Sequence, residues 1–169
     1  MNYFQKFKGQ GSQLPPQTKI KEILFVWFGS FVTIAFVGYL TSNYNNLLVM
    51  GSFGASCVLL FGFPKSPFSQ PRNVIAGHFL STFIGLAFLH IFGNEWLSMA
   101  FALATAIALM IATNTVHPPA GSNPIIVFLV GANWDYLIFP SLIGSVVLVI
   151  VALFYNNLHT KRNYPEYWF

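Results

Sequence analysis

The stretch Thr113-Asn-Thr-Val-His-Pro-Pro-Ala-Gly-Ser-Asn-Pro124, running on into Ile125-Ile-Val-Phe-Leu-Val-Gly131, decides how the chain reads. It is polar, carries three prolines, and lies inside a sequence that is otherwise nearly continuous hydrocarbon. Backbone that cannot hydrogen-bond to itself is not tolerated against lipid; it survives at membrane depth only where protein or a water-filled cavity supplies partners. A membrane chain with such a stretch is expected to build a site there. The competing reading is a proline-rich turn that merely ends the preceding segment.

The surroundings make the membrane setting plain. Of 169 residues, 55% are hydrophobic and 7% charged, against about 25% charged in a soluble domain, so a soluble fold could not cover its surface. A bilayer crossing takes roughly 17–25 apolar residues. Ile23–Leu40, Val74–Phe92, Trp96–Ala112 and Ile138–Tyr155 meet that length without one Lys, Arg, Asp or Glu. The fold class is therefore all-α integral membrane protein. The single cysteine, Cys57, excludes an intramolecular disulfide and a multi-cysteine metal site. The net charge of +4 points to membrane orientation rather than to nucleic acid. No signal peptide is legible, because the first apolar run begins at Ile23 and lacks a small-residue cleavage site.

Two shorter apolar stretches, Leu47–Phe63 and Ala120–Ala132, set the number of crossings. If both cross, six segments alternate, and Lys6, Lys8, Lys19, Lys21, Lys65, Arg72, Lys161 and Arg162 all fall on one face. Glu95 and Asp135 then fall on the other. That is the positive-inside pattern, with both termini cytoplasmic in a multi-pass cell (inner) membrane protein. Re-entrant short segments would reduce the crossings and place Lys65 and Arg72 outside, so six is favoured. The organisation expected is a cytoplasmic tail over 1–22, a transmembrane domain over 23–158 with halves 23–92 and 96–158, and a cytoplasmic tail over 159–169.

The halves resemble each other. In one register Ala35 meets Ala104, Val58 meets Val127, Leu60 meets Leu129, Gly62 meets Gly131 and Pro71 meets Pro140. Each half reads as a long segment, a short broken one, then a long one opened by proline. Three crossings per half make this a 3+3 inverted repeat, and paired interrupted segments in such halves mark a transporter's midplane site. Small-residue stripes are expected to pack the helices: Gly77, Ser81 and Gly85 answered by Ala104, Ala108 and Ala112, with Gly51 and Ala55, and Ser141 and Ser145. Trp96, Trp134, Tyr136, Tyr164, Tyr167 and Trp168 suit the interfaces.

For the site, Asn123 before Pro124 has the form of a helix N-cap followed by proline at the first helical position. A helix from Pro124 to about Ala132 would aim its unpaired N–H groups at Ser122 and His117, a place for an anion. Gly121 would allow a turn and a close approach. His117 could bind the ligand, relay a proton or cap a helix end, and imidazole titrates near neutral pH. His78, inside a span, is functional by default or bonded to a backbone carbonyl. Ser52 and Ser56 offer hydroxyls in the first half, preceded by Asn45 and Asn46. Arg72 is either a positive-inside anchor or the mouth of an anion path. No second ligand sits at metal spacing around His117, and no nucleophile–base pair or paired carboxylate lies within the membrane, so neither a metal, a cofactor nor an enzyme is expected.

Phe53-Gly-Ala-Ser-Cys-Val-Leu-Leu-Phe61, Pro64, Ser66-Pro67, Gln70-Pro-Arg-Asn-Val74, Gly77-His78 and Thr115-Val-His-Pro-Pro-Ala-Gly121 together resemble the HPP family, small membrane proteins named for the His-Pro-Pro signature. The likeness runs from about Gly51 to Gly131. It implies a membrane protein, with nitrite transport as the leading activity, because members in cyanobacteria and chloroplasts are linked to nitrite. Asn114 departs from the basic residue common there, and Ser122–Asn123 from a small Ala-Thr pair, which takes a cation away from the motif. The function expected is transport of a small inorganic anion, nitrite first, held by His117, Ser122, Asn123 and the helix-end N–H groups. A passive channel and a structural or assembly subunit are the rivals. The partners expected are that anion and the lipid bilayer, with no nucleic acid, and assembly into a homo-oligomer stays open.

Overall fold

A computed structural model of the chain describes residue 7, residues 14–44 and residues 48–168. Lys6, Lys8, Asn45, Asn46 and Leu47 lie outside the described residues. Among the described residues six α-helices occur in the order α1 (Ile20–Tyr44), α2 (Gly51–Cys57), α3 (Pro71–Phe92), α4 (Trp96–Ala112), α5 (Asn123–Val130) and α6 (Ile143–Asn157). No strand is present among the described residues. The chain is an all-α membrane protein, with six helical segments among the described residues.

Among the described residues three segments, Ile20–Asn43, Pro71–Phe92 and Leu137–Asn157, are long and apolar enough to cross a membrane by themselves. The second and fifth segments are short and irregular. α2 loosens into a π-helical turn over Val58–Gly62, giving about 18 Å of helix at 1.5 Å per residue. α5 is entered through a 3-10 turn over Pro118–Ser122. α6 is also entered irregularly: Pro140 interrupts the π-helical turn Leu137–Leu142, and Phe139 is extended.

The helix boundaries have local causes. Pro71 opens α3, where its missing N–H costs nothing, and Gly93 at φ 81° ends it. α4 stops where Asn114 turns left-handed at φ 54°, and α5 stops at Gly131, φ 58°. Contacts fix the direction of each segment. At one end Arg162 meets Glu22 at 2.7 Å and donates to the Phe61 carbonyl at 2.6 Å, while Arg72 donates to the Thr113 carbonyl at 3.0 Å. At the other, His90 donates to the Ala132 carbonyl and Asn94 to that of Phe128, each at 3.2 Å. The six segments therefore alternate between two ends, and α4 begins at the end opposite to α1. Lys65, Arg72, Lys161 and Arg162 share one end; Glu95 lies at the other.

Packing corrects several expectations. The Gly77–Ser81–Gly85 stripe is buried, but it faces residues 115–127 rather than α4. A Cβ at Gly77 would lie 2.9 Å from His117 Cβ, and one at Gly85 2.9 Å from Pro124 Cα. α4 buries Ser98, Ala102, Ala106 and Met110, while Ala104, Ala108 and Ala112 are exposed. On α2 the buried face carries Ser52 and Ser56, and Gly51 and Ala55 are exposed. Tyr164 is no interfacial ring: it is 3% exposed and its hydroxyl donates to the Ser69 carbonyl at 2.8 Å. That burial pushes the Tyr164 phenol up from its usual range. Tyr136 is buried too. The last residues thus fold back onto the 64–70 connection, where Gln70 also accepts from the Glu166 N–H at 2.8 Å. Outward, Trp27, Phe31 and Phe36 of α1 and Phe101 and Ile111 of α4 stay exposed, as lipid-facing side chains should.

Candidate functional site

The first-half hydroxyl and the second-half motif meet in the core. Ser56 projects from the buried face of α2, His78 from the second turn of α3, His117 from the chain just before the 3-10 turn, and Asn123 from the start of α5. All four side chains are 0% exposed. Ser56 Oγ lies 2.8 Å from His117 Nε2 and 3.0 Å from His78 Nε2. The imidazoles stand with centroids 5.0 Å apart and planes at 61°, and Phe53 meets His78 edge-on at 5.1 Å. Gly77 makes room for this: any side chain there would strike His117.

The two ends of this array fix its protons. His117 Nδ1 is 2.6 Å from the Phe68 carbonyl, which can only accept, so Nδ1 carries a hydrogen. In a neutral ring His117 Nε2 is then bare, and Ser56 must donate to it. At the other end the Asn123 amide donates to His78 Nδ1 at 3.0 Å and to Thr82 Oγ1 at 2.9 Å. Its orientation is set by the His78 carbonyl 3.3 Å away, which would repel an amide oxygen. His78 Nδ1 is therefore bare, and Nε2–H donates to Ser56. One directed chain results: Asn123 to His78 to Ser56 to His117 to the Phe68 carbonyl, with opposite tautomers on the two histidines.

Further groups hold the array in place. Ser141, at the kink before α6, lies 3.0 Å from the His78 carbonyl and 2.8 Å from Thr82 Oγ1. Ser81 donates to the Ala120 carbonyl at 2.6 Å. Asn73 donates to the Val116 carbonyl at 3.0 Å, holding the strand-like approach to His117. From sequence Thr82 lies in no motif, Asn73 stands only within a family-like motif, and Ser141 reads as packing alone. The signal available was a polar side chain within a span or at its proline-marked start.

Other expected site residues lie elsewhere or act differently. Asn123 is not an N-cap: Ser122 precedes the helix in αR backbone without a side-chain cap bond, and Asn123 is its first residue, turned into the core. The 3-10 turn runs straight into α5 and leaves no separate helix start, so the anion place built from exposed N–H groups is not formed. Ser122 donates to the Pro119 carbonyl at 2.8 Å and lines an outward groove of about 480 Å³ with Ala55, Val58, Leu59, Pro118 and Pro119. Gly121 has no positive φ, and a Cβ there would meet nothing within 4 Å. Arg72, exposed, caps the carbonyl end of α4, where a cation complements the helix dipole. Ser52 is buried one turn before Ser56, and its Oγ has no partner; Asn73 Oδ1 and Asn123 Oδ1 are likewise unpartnered. Among the described residues no three His, Cys, Asp or Glu side chains gather as a metal would require.

An array of two imidazoles and a hydroxyl in a charge-free core can hold and pass a proton. Comparison with known proteins agrees with the fold. The family described as HPP, transmembrane region, matches residues 15–165. A transmembrane protein of Dictyostelium discoideum is 39% identical over 99% of this chain and 64% of its own length. A second transmembrane protein of that organism is 36% identical over 99% of this chain and 58% of its own. The chain thus spans about three fifths of the length of the curated relatives it matches. No solved structure matches it.

Proposed function

From its membership of the HPP transmembrane family, to which this chain belongs, and from the buried histidine pair, we propose that it transports a small inorganic anion, nitrite first, across a membrane. The observation that carries the reading is the Ser56–His78–His117–Asn123 array, four buried polar side chains concentrated where α2, α3 and the entry to α5 meet. Ionisable side chains inside a membrane are expensive and mark solute or proton pathways. The array is fully enclosed, which favours alternating access over a permanently open channel. No covalent chemistry is needed. In this reading the basic end faces the cytoplasm.

A structural subunit is the second reading, favoured by one observation: the four side chains largely satisfy one another. Protein-dependent uptake of nitrite, nitrate, chloride and bicarbonate into proteoliposomes decides between them. Transport gives saturable uptake of nitrite that His117→Gln lowers. A structural role gives uptake equal to that of protein-free vesicles for all four anions.

A further inference from the structure

Resting on the transport reading, we propose that the histidine pair binds one proton with each monovalent anion, so that the chain is an electroneutral proton–anion symporter. Charge supplies the first half of the argument. Between Ile23 and Pro64, Asn73 and Asn94, Trp96 and Trp134, and Tyr136 and Thr160 the sequence holds no Asp, Glu, Lys or Arg. Arg72 is exposed at one end and engaged with the Thr113 carbonyl. An anion in this core finds no fixed cation, and an unpaired buried charge is very costly. A histidine that gained a proton would equally find no fixed carboxylate. Each charge lacks a partner unless the other arrives with it.

The hydrogen-bond geometry supplies the second half, because the array has room for one additional proton. Placed on His117 Nε2, it makes that ring donate to Ser56 Oγ at 2.8 Å, while Nδ1–H keeps the Phe68 carbonyl. Ser56 then turns its own hydrogen to the Ser52 carbonyl 3.2 Å away and still accepts from His78 Nε2–H. No donor is orphaned. A second proton, on His78 Nδ1, would point at the Asn123 amide hydrogens 3.0 Å away, donor against donor. The capacity is therefore one. The spare donor for the anion is Ser52 Oγ, 97% buried by its 3% exposure, partnerless, and on the same α2 face as Ser56.

Among the described residues no other titratable group bonds to the pair. α2 brings only Cys57, α4 and α5 bring none, the connection before α3 brings Lys65, and α6 brings Tyr155, whose hydroxyl donates to the Phe25 carbonyl. On α3 the other histidine, His90, is spent on the Ala132 carbonyl at the far end.

The test loads proteoliposomes with a pH-sensitive dye, clamps the membrane potential with potassium and an ionophore, and adds nitrite, with chloride and nitrate in parallel. Protein-free vesicles give the uncatalysed leak of the conjugate acid. The expected result is internal acidification of one proton per anion taken up, at a rate that does not change when the clamped potential is reversed. In His117→Gln, which keeps an amide donor for Phe68, acidification falls to the protein-free level. Uptake without acidification, or uptake that follows the potential, overturns the symport and leaves anion transport standing. Absence of protein-dependent uptake for all three anions overturns the transport reading, and the symport with it.

Discussion

Ser56→Ala is the sharpest probe of the buried array. The hydroxyl serves two rings at once, accepting from His78 Nε2–H at 3.0 Å and donating to His117 Nε2 at 2.8 Å. Its removal orphans one buried donor and one buried acceptor. Each unsatisfied buried group costs about 1–3 kcal/mol, so the loss is about 2–6 kcal/mol. The rings cannot close the gap unaided, since both nitrogens sit about one hydrogen-bond length from the missing oxygen and Phe53 and Gly77 fix their planes. An interhelical hydrogen bond in a membrane is worth only about 0.6 kcal/mol on average, so a loss above 2 is the mark of stranded groups rather than of one lost bond. Ser145→Ala is the control: Ser145 is equally buried but donates only to the Leu142 carbonyl of its own turn, at 2.8 Å. Thermal melting in detergent measures both. With about 2–4 °C per kcal/mol for a chain of this size, Ser56→Ala lowers the Tm by at least about 4 °C and clearly more than Ser145→Ala. Equal shifts would refute the shared-hydroxyl geometry.

Nitrogen-15 spectra of histidine-labelled protein at neutral pH should show opposite neutral tautomers for the buried pair, Nδ1–H on His117 and Nε2–H on His78; the same tautomer on both would contradict the directed chain. Among glycines, Gly77→Ala and Gly85→Ala each place a Cβ 2.9 Å from a neighbour and should cost about 1–3 kcal/mol in melting experiments, whereas Gly121→Ala should be near neutral. Single cysteines at Lys65 and Lys161 should be labelled by impermeant reagents from one side of the membrane and one at Glu95 from the other, Cys57 being buried; labelling of all three from one side would refute the alternation. Asn123→Asp replaces the donor to His78 with a negative charge in the core, so it should transport nitrite less well than Asn123→Ala; a gain in flux would point to a cation pathway.

The segments were legible because hydropathy over twenty residues is a strong signal: Trp96–Ala112 was expected and found with the same limits. Which face of a helix looks inward was less legible. In α4 alanines occur on every side, so Ala104, Ala108 and Ala112 read as well as Ala102 and Ala106, and only the neighbours' shapes choose between them. Asn123 shows a different failure. Asn-Pro is the grammar of a helix start, but a 3-10 turn had already supplied the preceding helical backbone, which freed the amide to reach His78. The motif residues themselves could be named from sequence, whereas the 61-residue separation of Ser56 from His117 could be closed only by the fold.

The folding back of the last residues bears on how the protein is made. His117 Nδ1 leans on the carbonyl of Phe68, and that connection is pinned at Ser69 and Gln70 by Tyr164 and Glu166. A chain synthesised from its N-terminus brings Ser56 and His78 together early, before α4 exists. The support for His117 comes later, from Tyr164 and Glu166, which leave the ribosome after α6. Until Tyr164 and Glu166 are in place, the connection that carries Phe68 lacks both of these pins, so the support of His117 depends on residues nearly fifty positions further along the chain.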